Sequence, residues 1–314
     1  MSSMRLITDE RLTAAERFVW TSGRLVDRLR FGHLVRNTPA ARVVDALRPY
    51  QNADGGFGEA LEPDFRGPIS EPVTVESALS HLDEVGAFDP EMVARACDYL
   101  ASVSTPDGGV PFVLGTVTDY PRSPWWQPQP GEPPCLLPTA PLAGLLHRNG
   151  VDHPWLAPAT RWCWGAIDEI DKRLAGVEDQ SGRLQIAYEA RAAVRFLDNV
   201  PDRERAAAAG RRLGDVLLDH GVLVGDPGDD VEVERPLEFA AHPSSVARAW
   251  FDQATIDRQL DTLVEAQRAD GGWTFAWKVW TPVTEFEWRS RLTVDRLATL
   301  KAYGRIEGFP GDVG

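Results

Sequence analysis

Six acidic side chains lie close together near residue 230, where one of them could donate a proton to a substrate. They occupy the 13 positions from 226 to 238 and are Asp226, Asp229, Asp230, Glu232, Glu234 and Glu238. If this segment is extended, Asp230, Glu232 and Glu234 share one face. Crowded carboxylates raise one another's pKa, and a desolvated carboxyl group can stay protonated and act as a general acid. We predict Asp229, Asp230 and Glu232 as candidate acids; the alternative is a solvated acidic loop.

Aromatic side chains are concentrated in two segments that lie between regions of helical pattern. They are Trp125, Trp126, Phe275, Trp277, Trp280, Phe286 and Trp288. In a concave site such rings could hold an apolar chain and stabilise carbocations through their π faces. The alternative is that the rings seal loops onto the core. The sequence therefore predicts a substrate-binding group, which consists of Trp126, Phe275, Trp277, Trp280 and Trp288.

Two further segments mix acids with arginine just before helical patterns begin. One holds Glu62, Asp64, Arg66 and Glu71, and the other holds Glu285, Glu287, Arg289 and Arg291. Helix N-termini together with arginine could bind an anionic head group such as a diphosphate. We predict Arg66 and Arg289 as binding residues and Asp64 as a further candidate acid; surface ion pairs are the alternative.

The cysteine and histidine residues do not predict a metal site. The three cysteines are widely spaced, and none forms a CxxC pair. Cys97 and Cys163 fall on predicted outer helices, and Cys135 has no histidine partner at a fixed spacing. His147 and His242 are the kind of residue that packs or caps more often than it binds metal. We predict no metal and no cofactor, with Mg²⁺ needed only if the substrate is a diphosphate.

The composition indicates a folded protein that does not bind nucleic acid. The chain has 314 residues, is 43% hydrophobic and has a formal net charge of −14 without a basic run, which disfavours nucleic acid and anionic membranes. The odd number of cysteines favours a reducing compartment, and the start MSSMRLITDERL lacks the apolar core of a signal peptide. We predict a cytoplasmic protein whose membrane contact, if there is one, is peripheral. The oligomeric state is not predicted.

An Asp-Gly-Gly turn recurs along the chain and indicates an internal repeat. It begins at Asp54, Asp107 and Asp270, so the two intervals are 53 and 163 residues, the second close to three times the first. This spacing predicts two degenerate turns between Asp107 and Asp270. The candidates are EDQSG at 178–182 and GDPGDD at 225–230.

Eleven segments with helical hydrophobic spacing fall around these turns in alternating pairs; the first segment covers 12–31, and a later first member covers 239–251. The first members are short and rich in Ala, Ser, Thr and Val, whereas the second members carry more charge. Crowded inner helices and solvent-facing outer helices explain this difference. The pattern predicts an all-α fold, an (α/α)6 toroid of six inner and five outer helices in one domain, 1–314. Four long loops, at 58–71, 110–137, 226–238 and 274–287, would roof its central cavity.

Two of the repeats resemble a known superfamily. LVEAQRADGGW resembles the QW repeat of squalene-hopene cyclases, and QNADGGFGEALEPDFRGPISEPVTVESAL resembles the repeat of protein prenyltransferase beta subunits. Both belong to the α/α toroids of terpenoid cyclases and prenyltransferases. Within the repeat, glycines permit a sharp reversal, glutamine amides can bond exposed backbone groups, and aromatic rings can cover the turn. We therefore predict a scaffolding role for the repeated residues, which are Gln51, Asp54, Phe57, Gln267, Asp270 and Trp273.

The resemblance implies an enzyme that binds an isoprenoid in the cavity and cyclises it after protonation, as a terpenoid cyclase or a prenyltransferase-like protein. The Asp-x-Asp-Asp motif of proton-initiated cyclases is absent, and so is the Asp-Asp-x-x-Asp motif of metal-triggered ones. Two alternatives stay open. The toroid could be a carbohydrate-active hydrolase or lyase, since aromatic platforms and paired carboxylates also suit sugars. It could also be a noncatalytic toroid that binds a lipid or a protein.

Overall fold

The structure is a computed structural model that describes residues 4–223, 235–309 and 311. Within these ranges the chain is helical, its β-structure consists of isolated bridges, and the all-α prediction is confirmed. The α-helices are α1 (Asp9–Ser22), α2 (Leu25–Arg36), α3 (Ala40–Leu47), α4 (Pro72–Glu84), α5 (Pro90–Val103), α6 (Leu136–Arg148), α7 (Leu156–Asp168), α8 (Ile170–Ala175), α9 (Gln180–Leu197), α10 (Arg203–Asp219), α11 (Pro236–Phe239), α12 (Gln253–Glu265) and α13 (Pro282–Ala302). Short 3-10 turns cover Arg48–Tyr50, Gly115–Asp119 and Val246–Trp250.

The chain divides into two compact units. Unit 1 comprises the described residues of Met1–Pro39 and Leu223–Gly314, and unit 2 comprises Ala40–Val222. The prediction of a single domain stays a prediction.

Unit 2 contains the predicted alternation of inner and outer helices. Helix α6 packs against both α4 and α9, so helices that alternate along the chain are neighbours in space. Helix α6 is buried along nearly its whole length, and at Gly144 an added Cβ would lie 2.7 Å from the carbonyl oxygen of Arg195 in α9. Of the intervening helices, α5 packs on α4, α7 packs on α6, and α10 packs on α9. Each of these three helices keeps one exposed, charged face. Close approach between inner helices therefore explains their small residues.

Unit 1 joins the two ends of the chain. Helix α13 packs against α1, α2 and α12. The backbone of Ile7 donates to the carbonyl of Arg305 at 2.9 Å and accepts from Glu307 at 3.0 Å. The guanidinium of Arg305 is buried and donates to Asp257 at 2.7 Å and to Asp261 at 2.6 Å. Because a buried arginine is costly without partners, these two carboxylates stabilise the junction.

The three Asp-Gly-Gly turns share one backbone geometry. The first glycine of each pair has a positive φ, 91° at Gly55, 97° at Gly108 and 94° at Gly271. An added Cβ at these glycines would lie 2.3, 2.5 and 2.1 Å from backbone atoms of α5, α7 and α1, respectively. Each turn therefore needs glycine for its conformation and for its contact with the adjacent helix. The predicted repeat is confirmed at these three positions.

The repeated glutamines have equivalent hydrogen bonds, which confirms their scaffolding role. The Nε2 of Gln51 donates to the carbonyl of Gly55 at 2.9 Å and to that of Met92 in α5 at 2.8 Å. The Nε2 of Gln267 donates to the carbonyl of Gly271 at 2.9 Å and to that of Arg11 in α1 at 2.9 Å. Each amide thus closes its own turn and joins it to the helix beside it. The buried rings of Phe57 and Trp273 cover the two turns.

The structure corrects three features of the predicted helix pattern. The proposed turn at 178–182 is wrong, because Asp179 caps α9 by accepting from the amide of Gly182 at 2.7 Å and residue 182 is helical. The first predicted helix is interrupted at Gly23, between α1 and α2. The inner helix predicted over 239–251 is also absent; α11 and the 3-10 turn Val246–Trp250 stand there, with Pro243 between them. The proposed turn at 225–230 lies outside the described residues.

Candidate functional site

Two of the predicted long loops in unit 2 form one packed structure. We call residues 58–71 loop A and residues 110–135 loop B. The amide of Arg66 in loop A donates to the carbonyl of Pro121 in loop B at 2.9 Å. The amide of Ser123 donates in the opposite direction, to the carbonyl of Asp64, at 2.8 Å. These two bonds form an isolated antiparallel bridge at Phe65 and Arg122, in which each loop satisfies backbone groups of the other.

Aromatic rings form the interface between the two loops. Phe65 of loop A stacks on Trp126 of loop B, with ring centroids 5.5 Å apart and an interplanar angle of 7°. Phe112 meets the edge of Trp126 at 5.8 Å, and Tyr120 meets Phe65 at 6.1 Å. Trp126 is only 2% exposed. The structure thus places Trp126 in the loop core, and its predicted contact with substrate stays a prediction.

Asp64 also joins the two loops. Its carboxylate is buried, and its Oδ2 accepts a hydrogen bond from the Nε1 of Trp125 at 3.0 Å. Arg66 lies half-buried two residues later in loop A. Sequence reasoning placed both residues beside the start of an inner helix, and the structure places them before α4. Their predicted roles as acid and anion-binding residue are not decided by these contacts.

Glu71 is a buried carboxyl group at the N-terminus of α4. It occupies the N-cap position, but its side chain makes no capping bond to the helix. Instead its Oε2 accepts from the amide of Leu114 in loop B at 2.9 Å. Its Oε1 is buried and has no hydrogen-bond partner among the described residues. The side chain is fully shielded from solvent, with a relative exposure of 0%.

Burial raises the pKa of Glu71 to about 8. The negative charge of Glu132 acts in the same direction, whereas hydrogen bonds from the backbone of Leu114 and the side chain of Thr116 act against it. Because the raised value lies above neutrality, the carboxyl group carries its proton at neutral pH. Sequence reasoning grouped Glu71 with charged residues near a helix start but did not include it among the candidate acids. The sequence contained one sign of this site, since Glu71 directly precedes the Pro-Val-Thr start of a helix predicted to be buried.

Helix α4 continues this polar environment along one side. Thr74, Ser77 and His81 are buried at helical spacing in α4. The hydroxyl of Ser77 donates to the Oε2 of Glu62, a buried residue of loop A, at 2.9 Å. The hydroxyl of Thr74, one turn after Glu71, has no partner among the described residues. An inner helix with buried polar groups is unusual for a purely structural element, because burial of polar groups is costly.

The second aromatic group lies in unit 1, before and within the start of α13. Phe275 stacks on Trp277 at 4.1 Å with an interplanar angle of 19°. Trp277 in turn meets the edge of Trp288 at 5.4 Å. Trp280 is half-buried in the same segment, and Phe286 is 47% exposed. The structure therefore brings Phe275, Trp277 and Trp288 together as predicted, and these three rings remain half-buried.

Arg289 of α13 is bonded to the aspartate of the third turn, and its predicted binding of an anion stays a prediction. Its guanidinium is buried and donates to both carboxylate oxygens of Asp270, each at 2.8 Å. Its Nε donates to the carbonyl of Trp273 at 3.1 Å, and the guanidinium lies 4.6 Å from the ring centroid of Phe18. These contacts give Arg289 a structural role, which sequence reasoning did not foresee. The candidate acids Asp229, Asp230 and Glu232 lie outside the described residues.

The described ranges contain neither a metal-binding cluster nor a membrane-spanning helix. There, His, Cys, Asp and Glu side chains form no group of three or more that could hold a metal ion. Cys97 and Cys163 are buried in α5 and α7, the predicted outer helices, and Cys135 caps α6. No helix in the same part of the chain has the length and apolar character to cross a membrane.

A concavity of about 440 Å³ lies beside the second turn in unit 2. Its charged lining residues come from the turn (Asp107), from α7 (Arg161) and from the residue directly after α7 (Glu169). The aromatic ring of Trp162 lies among them. The lining residues are Asp107, Arg161, Trp162, Gly165, Ala166 and Glu169. An aromatic ring flanked by two carboxylates and an arginine is a surface on which a polar ligand could bind.

Comparison with known proteins shows the fold. No protein-family profile matches the chain, and no curated protein sequence matches it. Among solved structures, a protein from Actinoplanes is 18% identical over 92% of this chain and 88% of that one, with a TM-score of 0.52. A variant of the type II terpene cyclase MstE from Scytonema, in complex with geranylgeranyl dihydroxybenzoate, is 13% identical. The match covers 92% of this chain and 96% of that one, with a TM-score of 0.54. The apo form of MstE gives 13% identity and a TM-score of 0.52. This chain therefore has the helical fold of that cyclase.

Proposed function

We propose that the protein is a terpene-cyclase-like enzyme that binds an isoprenoid and cyclises it after protonating a carbon–carbon double bond. The observation that carries the proposal is the likeness of fold to a type II terpene cyclase over nearly the full length of both chains. That cyclase was solved with geranylgeranyl dihydroxybenzoate bound, so its fold accommodates a prenyl chain. We extend this to a single toroid, 1–314, with a central cavity that holds the substrate.

The chemistry of the described residues supports this reaction. Protonation of a double bond requires a carboxyl group that is protonated at rest and shielded from water. Loop A and the start of α4 contain three buried carboxyl groups, on Glu62, Asp64 and Glu71. Aromatic faces stabilise the cation that follows, and Phe275, Trp277 and Trp288 form a group of such faces. Trp280 is a further proposed substrate-binding ring in unit 1, and Trp126 is one in unit 2.

The proposed reaction needs a Brønsted acid and no cofactor. Asp64, Asp229, Asp230 and Glu232 remain candidate acids from the sequence. Mg²⁺ would take part only with a diphosphate substrate, whose anionic group Arg66 would help to bind.

The test is incubation with isoprenoids of about 10 to 30 carbons, with their diphosphates and with prenylated aromatic acids, followed by mass spectrometry of the products. Cyclisation yields an isomer of the substrate, and in D₂O the product carries deuterium at the protonated carbon. Asp64→Asn and Asp230→Asn are assayed in parallel, with and without a chelator. If none of these compounds is bound or converted, the proposal is refuted.

Carbohydrate binding is a second candidate, favoured by the concavity beside Trp162. Its aromatic ring and the carboxylates of Asp107 and Glu169 are the groups that sugar sites use. The test is calorimetric titration with neutral oligosaccharides, using Trp162→Ala as the comparison. Equal heats for the two proteins would refute this candidate.

A further inference from the structure

We propose that Glu71, whose buried carboxyl group lies between the N-terminus of α4 and loop B, is the catalytic acid that protonates the substrate. The assignment depends on the proposed function and names the residue that carries out its first step. Within the described residues it is an alternative to Asp64, the candidate acid chosen from the sequence.

The two oxygens of Glu71 have different environments. Oε2 is held by the amide of Leu114, which fixes the orientation of the carboxyl group. Oε1 has no partner among the described residues, although it is shielded from solvent. A buried polar atom without a partner costs free energy, and such atoms are found where a ligand supplies the missing contact. A proton on Oε1 therefore has no acceptor among the described residues and is available to the π electrons of an alkene.

The groups around Glu71 keep it neutral at rest. Burial is the largest influence, and the carboxylate of Glu132 in loop B adds a negative charge nearby. Tyr99 of α5 also faces this region; its hydroxyl donates to the carbonyl of Ser70 at 2.8 Å. Burial is the main cause of the raised pKa of Tyr99, so the phenol is neutral as well. The acid is thus protonated before the substrate arrives.

Asp64 differs from Glu71 in the contact that matters for proton transfer. Its Oδ2 accepts a hydrogen bond from the indole of Trp125, which joins loops A and B. The contacts of Asp64 therefore suit a structural role, whereas the free oxygen of Glu71 suits a proton donor.

Proton transfer from Glu71 to the substrate begins the proposed reaction. The Oε1–H bond of Glu71 breaks while the π electrons of the alkene form a new C–H bond, which leaves a tertiary carbocation and a carboxylate. The amide of Leu114, the hydroxyl of Thr116 and the N-terminus of α4 stabilise that carboxylate. Ring closure then consumes further double bonds. The final cation loses a proton to water, and Glu71 regains one from water, so the product is an isomer of the substrate.

Glu71→Gln is the decisive variant because the amide keeps the shape and can still accept from Leu114, but it has no acidic proton. We expect kcat to fall by about 10²- to 10⁴-fold with the substrate Kd unchanged. Glu91→Gln, an exposed acid in the first turn of α5, is the matched control and should keep the wild-type kcat. Retention of kcat in Glu71→Gln, with deuterium still entering the product in D₂O, would overturn the assignment.

Binding of an isoprenoid with a tertiary ammonium in place of the cationic carbon provides a readout that does not need turnover. We expect this probe to bind wild-type protein at least about tenfold more tightly at about pH 9 than at about pH 6, because the ionised carboxylate pairs with the ammonium. Glu71→Gln should show no such gain. Equal pH dependence in the two proteins would overturn the assignment.

The two assays distinguish the failure of Glu71 from the failure of cyclisation. If the probe depends on Glu71 but no isoprenoid is converted, the reaction is wrong and the location of Glu71 in the ligand site is supported. If isoprenoids are cyclised equally by wild type and Glu71→Gln, the reaction stands and the residue is wrong. Absence of both turnover and probe binding overturns both proposals.

Discussion

Replacement of Glu71 by Gln should change how the stability of the protein depends on pH. The pKa of Glu71 is raised from 4.5 to about 8 in the folded protein, chiefly by burial. A raised value means that the fold favours the protonated form, so this stability is fully present below pH 4.5. Between pH 4.5 and about 8 the carboxyl group ionises only when the chain unfolds. Each pH unit in that window therefore lowers the free energy of unfolding by about 1.4 kcal/mol.

Between pH 4.5 and about 8, the free energy of unfolding falls by about 5 kcal/mol in total, because this window spans about 3.5 pH units at about 1.4 kcal/mol each. Glu71→Gln does not titrate and should escape this loss. Urea unfolding of both proteins between about pH 5 and about pH 9 measures the effect, since groups common to both cancel in the difference. We expect the variant to gain about 4 to 5 kcal/mol relative to wild type across this range. A difference that stays constant with pH would show that the fold does not raise the pKa of Glu71 and would refute the reasoning.

Three further predictions concern the scaffold and are tested by urea or thermal unfolding. Gly271→Ala should destabilise unit 1 by more than about 2 kcal/mol, because φ is positive and the new Cβ would lie 2.1 Å from the carbonyl of Ala14. Gly86→Ala is the control for the backbone contribution alone, because φ is also positive there but the new Cβ would have no neighbour within 4 Å. An equal loss of stability in Gly86→Ala would contradict the packing argument. Gln267→Ala should cost about 1 to 3 kcal/mol, because two carbonyls lose their donor; a neutral effect would mean that water replaces the amide. Trp126→Ala should cost about 3 to 5 kcal/mol and expose loop B to proteolysis, and a protease-resistant loop would contradict the stacked core.

Much of the scaffold was predictable because it depends on local backbone chemistry. The three Asp-Gly-Gly turns can be recognised in the sequence because their glycines can adopt a positive φ. Before two of these turns, the glutamine amide donates to backbone carbonyls, as predicted. The turn proposed at 178–182 failed for an equally local reason. The carboxylate of Asp179 caps a helix there, and an Asp followed by Gly is compatible with either outcome. Spacing alone could not choose between them.

The candidate site was less predictable because its properties depend on contacts that are distant in sequence. Glu71 owes its burial and its raised pKa to loop B, and its bonded partner Leu114 lies 43 residues away. The guanidinium of Arg289 bonds to Asp270 of the preceding turn, a contact that the predicted anion-binding role did not include. Trp126 was expected to line a cavity, and Phe65 from another loop covers its face. In each case the sequence shows the residue itself, but its partner becomes apparent only in the folded chain.

The first and third turns connect scaffold and site, since their aspartates bond to residues just before or within a following inner helix. In the first turn, Asp54 accepts from the hydroxyl of Ser70 at 2.7 Å, immediately before Glu71, whose amide donates to the carbonyl of Phe57 at 3.1 Å. In the third turn, the equivalent Asp270 holds Arg289 of α13. The aspartate thus has the same function with two different partners. Because the first copy fixes the backbone on which Glu71 is carried, a change at Asp54 would displace the proposed acid without contact with a substrate. The turn residues are therefore structural, and in loop A that structural role includes positioning the proposed chemistry.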